Sequence, residues 1–173
     1  IDGSGIITTI AGTGGAGFSG DGGPATAAQL NVAWGLAIDA LGNIFFSDIE
    51  NQRIRRIDTA GIISTIAGNG TEGYNGDGIP ATSAEFDFPR GIGVDSVGNI
   101  FIADTMNHRV RVVDAAGIIH TFAGNGVQGY TGDGGKAVNA EIGNPRAVLV
   151  NGNSLLISNG GHGTIRTVNF SSG

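Results

Sequence analysis

The sequence predicts an all-β fold, a β-propeller built from four-stranded antiparallel blades. Three observations carry this. An octapeptide recurs as GIITTIAG at Gly5, GIISTIAG at Gly61 and GIIHTFAG at Gly117, a constant spacing of 56 residues. Each interval holds four short stretches rich in β-branched and aromatic residues. Three of their connections are tight turns, and the fourth is a loop of about twenty residues. Short connections join antiparallel neighbours, so the unit is a meander. A four-stranded meander repeated with one longer link is the pattern of propeller blades. A β-sandwich has no reason to repeat at this period, and a parallel β-helix repeats at a much shorter one.

The second copy shows each element in turn. Residues 90–95 (RGIGVD) form the first strand, and SVGN supplies a Gly-Asn turn. Residues 100–104 (IFIAD) form the second, followed by the turn TMNH. Residues 109–114 (RVRVVD) are the third, AAG the next turn, and residues 118–124 (IIHTFAG) the fourth. Residues 5–60 and 61–116 agree at about half their positions without a gap. Residues 117–172 continue the pattern with one deletion near Asn153, so that Ile165 pairs with Val110 and Arg166 with Arg111.

Composition bounds the function. The chain has 173 residues, enough for one domain with a core at 40% apolar content. It has no cysteine, which excludes disulfides and thiolate zinc sites. The net charge of −6 argues against a nucleic-acid partner, since phosphate backbones need a basic footprint. The sequence lacks an 18-residue apolar run, so no membrane-spanning helix is expected, and the first residues lack the basic stretch of a signal peptide.

The segment FPRGIGVDSVGNIFIADTMNHRVRVVDAAG (88–117), with Asn107-His108-Arg109, resembles the NHL repeat. The first copy, WGLAIDALGNIFFSDIENQRIRRIDTAG, carries Gln52 where the family has His. The third, PRAVLVNGNSLLISNGGHGTIRTVN, lacks the motif. The linking GDGGPATAAQLN is similar to that of long-period bacterial NHL propellers. The resemblance implies a propeller that serves as an interaction scaffold in an extracellular or periplasmic setting. Some related six-bladed propellers are lyases or hydrolases, so the fold does not carry one function across.

G-x-G-x-x-G occurs at Gly12/14/17, Gly68/70/73 and Gly124/126/129, and Asp39 and Asp95 follow about twenty residues on. On paper this is a dinucleotide-binding fingerprint. Pro24 and Pro80 follow too soon for a crossover helix, and the acids fall at hairpin turns, so the glycines are expected to shape turns. Asp21, Asp77 and Asp133 of the GDG tripeptides suggest calcium. One carboxylate per loop is short of the six to eight oxygens calcium takes, so each is expected to bond its own turn or cap the short run behind it. No cofactor is therefore expected.

Strand order places the long loops, the starts of the first strands and the ends of the second strands on one face. That face holds Trp34, Arg90 and Arg146, together with Asp48, Asp104 and Asn159, as candidate ligand-binding residues. The arginines suit an anion or carboxylate, and the competing expectation is a salt bridge to Asp104, Asp87 or Glu141. Arg55, Arg111 and Arg166 recur in every third strand and are expected to make structural contacts between blades. His108 and His162 lie in turns of the same face and His120 on an outer strand, with His108 expected to fix its turn. Asn69-Gly-Thr71 and Asn169-Phe-Ser171 match a glycosylation sequon.

Three blades fall short of the four to eight of a propeller. The chain opens on a fourth strand, GIITTIAG, and closes after a third, TIRTVNF. Two copies exchanging that strand would make a two-fold, six-bladed homodimer; a longer polypeptide with further blades is the competing account. The expected function is a non-catalytic scaffold presenting the long-loop face to a protein, peptide, glycan or small anionic ligand. The alternative is a metal-dependent lyase or hydrolase at the mouth of the central channel, using Asp48, Asp104, Asn159 and the turn histidines.

Overall fold

The computed structural model describes residues 5–170. The first sheet is an antiparallel meander of β1 (Ala33–Ile38), β2 (Ile44–Asp48), β3 (Arg53–Ile57) and β4 (Ile63–Ala67). A two-residue strand, β5 (Ile79–Pro80), precedes β6 (Pro89–Val94), β7 (Ile100–Asp104), β8 (Arg109–Val113) and β9 (Ile118–Ala123). These make the second sheet, in the order β5-β9-β8-β7-β6. The third consists of β10 (Pro145–Asn151), β11 (Ser154–Asn159) and β12 (Thr164–Asn169). Residues 171 and 172 of the third repeat, and with them Ser171 of the second sequon, lie outside the described residues.

The turns form because aspartate organises them. The Asp39 carboxylate accepts from the Leu41 and Asn43 N–H groups at 2.9 and 2.8 Å, and Asp95 accepts from those of Val97 and Asn99 at 3.0 and 2.8 Å. Asp58 and Asp114 do the same for the β3–β4 and β8–β9 turns. Gly42 and Gly98 close the first pair of turns at φ near +90°.

Sheets pack face to face around the inner strands. Phe45, Ile54, Phe86, Ile92 and Ile102 fill the space between the first and second sheets. Phe101, Val110, Ile142, Val148 and Ile157 fill that between the second and third. The second sheet is thus covered on both faces. Approach is closest at the inner strands, where Gly35 leaves no room for a Cβ against the Arg90 carbonyl, and a Cβ on Gly91 would lie 2.6 Å from Ala147 Cα.

Each linker lies along the sheet that follows it. The Gly12, Gly68 and Gly124 N–H groups donate to the carbonyls of Ala25, Ala81 and Ala137, each 2.9 Å away on a short 3-10 turn. These glycine loops are therefore anchored turns and not the opening of a crossover helix. The linker then runs beside the outer strand, with Pro24 bridging Ile62 and β5 pairing with β9.

Candidate functional site

The inner strands carry the exposed residues of the long-loop face. In each sheet the first two strands pair at the same end, Ala33 with Asp48, Pro89 with Asp104 and Pro145 with Asn159. The register then slips, so that Trp34 and Gly35 oppose one residue, as do Arg90 and Gly91, and Arg146 is left without a cross-strand partner. A bulge of this kind re-aims side chains. Here the three bulges place Trp34, Arg90 and Arg146 at the same step of three neighbouring strands. The Ser47 hydroxyl accepts from the Gly35 N–H at 2.8 Å and donates to the Arg90 carbonyl at 2.7 Å, locking the first bulge to the second.

Trp34 is exposed, and the Arg90 guanidinium lies 5.8 Å from the centre of its ring, within cation–π range. Arg146 is exposed on the next inner strand. Among the described residues neither arginine has an ion pair or a side-chain hydrogen bond, and Arg90 Nε is buried without a partner. Among the described residues the salt bridges expected with Asp104, Asp87 or Glu141 do not form, and Asp104 instead lies 3.6 Å from Arg111.

Asp48, Asp104 and Asn159 are on this side of the molecule but buried. Asp48 accepts from the Asn31 N–H at 2.7 Å, Asp104 from the Asp87 N–H at 2.9 Å, and Asn159 from the Gly143 N–H at 2.6 Å. The three bonds are equivalent. Each fastens the end of a linker to the end of a second strand, and this occupies the oxygens that a ligand would need. Burial pushes the Asp104 carboxyl up to about 7, against the opposing pull of the Asp87 N–H, the Asn107 amide and Arg111.

The recurring third-strand arginines hold linkers. Arg55 reaches Asp21 at 2.7 Å and Asp48 at 3.1 Å; Arg111 reaches Asp77 at 2.9 Å; Arg166 reaches Asp133 at 2.6 Å. The expected contact between blades is therefore a contact between a sheet and the linker preceding it. The GDG carboxylates neither cap a turn nor stand free, because these guanidinium groups take them. Among the described residues no three of His, Asp and Glu converge on a point that could hold a metal ion.

The ties between sheets come from the residue that opens each third strand. The Gln52 side chain accepts from the Phe88 N–H at 3.0 Å, and His108 Nδ1 accepts from the Asn144 N–H at 3.3 Å. Gln52 and His108 have φ near +50°, as do Phe88 and Asn144, which donate to them. His108 must be unprotonated at Nδ1, and its pKa is held below the ordinary value by burial and by the neighbouring Arg109. The flanking residues complete the knot. Asn51 and Asn107 donate to the Gly17 and Gly73 carbonyls at 2.7 Å, and Arg53 and Arg109 donate to the Asn69 and Asn125 carbonyls at 2.7 and 3.0 Å. His162 packs against Tyr130 at 4.9 Å between ring centres, and His120 lies 3.7 Å from Asp114.

The model of the Teneurin NHL domain matches residues 13–74 and 69–131. Teneurin-m of Drosophila melanogaster is 30% identical over 113 residues, 57% of this chain and 4% of that protein. This chain thus spans a small fraction of the curated teneurin it matches. Among solved structures, a structural genomics protein of unknown function from Bacteroides thetaiotaomicron superposes with a TM-score of 0.69 at 24% identity, over 78% of this chain and 34% of that one. A chain of a nidogen/laminin complex superposes at 0.56 with 21% identity, over 82% of this chain and 45% of that one.

Proposed function

This chain belongs to the NHL-repeat family, through its match to the Teneurin NHL domain, and on that premise we propose that it is a non-catalytic propeller scaffold whose long-loop face binds an anionic ligand group. The three sheets are half of a six-bladed ring in this reading. One observation carries the choice of ligand: Arg90 and Arg146 stand at equivalent bulges beside the exposed Trp34 with no acidic partner among the described residues. A planar guanidinium fork suits a carboxylate, and an aromatic surface beside it suits the apolar part of a peptide or the face of a sugar ring. The structural likeness to a chain of a nidogen/laminin complex supports the coarser reading that such propellers serve as binding frames.

The enzymatic alternative, a metal-dependent lyase or hydrolase built on Asp48, Asp104, Asn159, His108 and His162, has less support. The carboxylate oxygens it needs already accept linker N–H groups, and His108 Nδ1 accepts from Asn144.

Trp34 is the single tryptophan and reports on the site directly. Titration with an oligoglutamate peptide is expected to change its emission saturably at low salt. Arg90→Gln with Arg146→Gln is expected to weaken that binding at least tenfold, roughly 1.4 kcal/mol or more. An emission that ignores the peptide, or an unchanged affinity in the double variant, rejects the site.

A further inference from the structure

We infer that the cleft between the second and third sheets, on the face of the short turns, holds an alkyl guanidinium: the side chain of an arginine in a partner peptide. The cleft has a volume of about 450 Å³ and opens between the β6–β7 and β10–β11 turns, at the strand ends opposite to Trp34. Its lining joins two chemistries. Phe101, Phe122 and Phe170 form a cluster with ring centres 4.9 to 5.9 Å apart, and the last two are only half-buried, so they present aromatic surface to the cleft. Asp95 and Asp114 are the charged residues of the lining.

These two carboxylates differ from the aspartates at the other end of the strands. There Asp21, Asp48, Asp77, Asp104 and Asp133 each lie within ion-pair distance of an arginine. Asp95 and Asp114 instead accept N–H groups of their own turns at 2.7 to 3.0 Å. Among the described residues neither pairs with arginine or lysine, and the cation nearest in kind is His120, 3.7 Å from Asp114. Negative charge beside exposed aromatic faces attracts a cation, and a guanidinium plane stacks on such rings.

The repeat supplies a template for that cation. Between the first and second sheets the matching position is Arg56, which stands across from Phe45 as Val112 stands across from Phe101. Phe45 belongs to the core between those two sheets, so Arg56 is on the same side, and its Nε is buried. The chain thus sets an alkyl guanidinium between two sheets once, and at the next step puts valine there and leaves a cleft. The acidic rim recurs as Asp39 and Asp58, so the guanidinium is what the second space lacks. Phe122 stands where the first sheet has Ile66, which adds a ring, and the deletion near Asn153 shortens the turn on the far wall. Val112 offers apolar surface to the methylene stem of an incoming arginine. Val97 at the mouth is 73% exposed, which leaves surface for the backbone that carries it.

Two-dimensional NMR of the intact chain, read at the Val97 and Asn153 amides, tests this. The probe is acetyl-Gly-Gly-Arg-Gly-Gly-amide, set against the same peptide with citrulline for arginine and against agmatine. The arginine peptide is expected to shift both amides saturably. The citrulline peptide keeps the shape without the charge and is expected to bind at least about tenfold more weakly. Equal binding of the two peptides, or no shift with either, overturns the proposal. Agmatine binding without the arginine peptide overturns a peptide as the source. Val112→Arg, which supplies the residue of the first space from within, is expected to abolish binding. Val97→Lys changes only the exposed rim and is expected to weaken binding about threefold or more, which keeps the test intact should the first variant not fold. Leu41→Lys, the same position in the turn of the first sheet, is expected to leave it unchanged. Undiminished binding in the folded cleft variants overturns the site. The readout is independent of Trp34 emission, so it stands or falls apart from the oligoglutamate titration.

Discussion

The second and third sheets are built from the same repeat, yet identical positions meet different fates in them. Val110 in β8 is sealed between sheets, and Ile165, its equivalent in β12, faces solvent. Arg111 is fully buried between Asp77 and Asp104, while Arg166 reaches a mostly exposed Asp133. The strands differ little in pattern. The difference lies in having a neighbour on both faces and a fourth strand at the edge. Burial in this molecule is a property of position in the array, and a repeat's own sequence fixes only its readiness to be buried.

Breaking the buried network should show this contrast at its largest. Arg111→Ala leaves Asp104 buried without its cation and is expected to cost about 3–5 kcal/mol. Arg166→Ala should cost about 1 kcal/mol or less, since its acid is solvated. Urea unfolding compares the two. Equal costs would show that position in the array does not set the energetics. A smaller effect is expected at the inner strands. Gly91→Ala drives a methyl into the Ala147 backbone and should cost about 1–3 kcal/mol, whereas Ala147→Gly, on the open side, should cost under about 1 kcal/mol. The smallest separates His108 as a tie from His108 as a ligand. His108→Ala should lose about 1 kcal/mol. His108→Gln should restore most of that, because Gln52 makes the same bond one repeat earlier. A glutamine variant as unstable as the alanine one would show that the imidazole does more than accept from Asn144.

Much of this was legible in the chain. The 56-residue period, the meander and the Asp-x-x-Gly-Asn turns depend on neighbours within a few residues, and local patterning reports them well. The side of the molecule holding Trp34, Arg90 and Arg146 followed from strand order alone. What escaped depends on long-range approach. Asp48 and Asp104 sit at strand ends, where solvent exposure is the natural expectation; an N–H seventeen residues earlier folds back and covers each. Arg55 and Arg111 carried a recurring charge without naming its partner, which lies on a linker more than thirty residues away. The bulges that re-aim Trp34 and Arg90 leave no mark beyond a glycine after each. The tie at Gln52 and His108 had a trace, a polar side chain at one place in two repeats, though its acceptor role appears only when Phe88 and Asn144 take left-handed backbone.

The linker strands along the outer rim have one more consequence. An exposed strand edge is a template for growth by adding further strands, the route to fibrils. At the rim of the first two sheets the linker places Pro24 and Pro80, which have no N–H to offer an incoming chain. The corresponding residue of the third repeat is Lys136, whose charge discourages the same addition. These two prolines and the lysine thus discourage amyloid-like stacking at the outer rim of the described sheets.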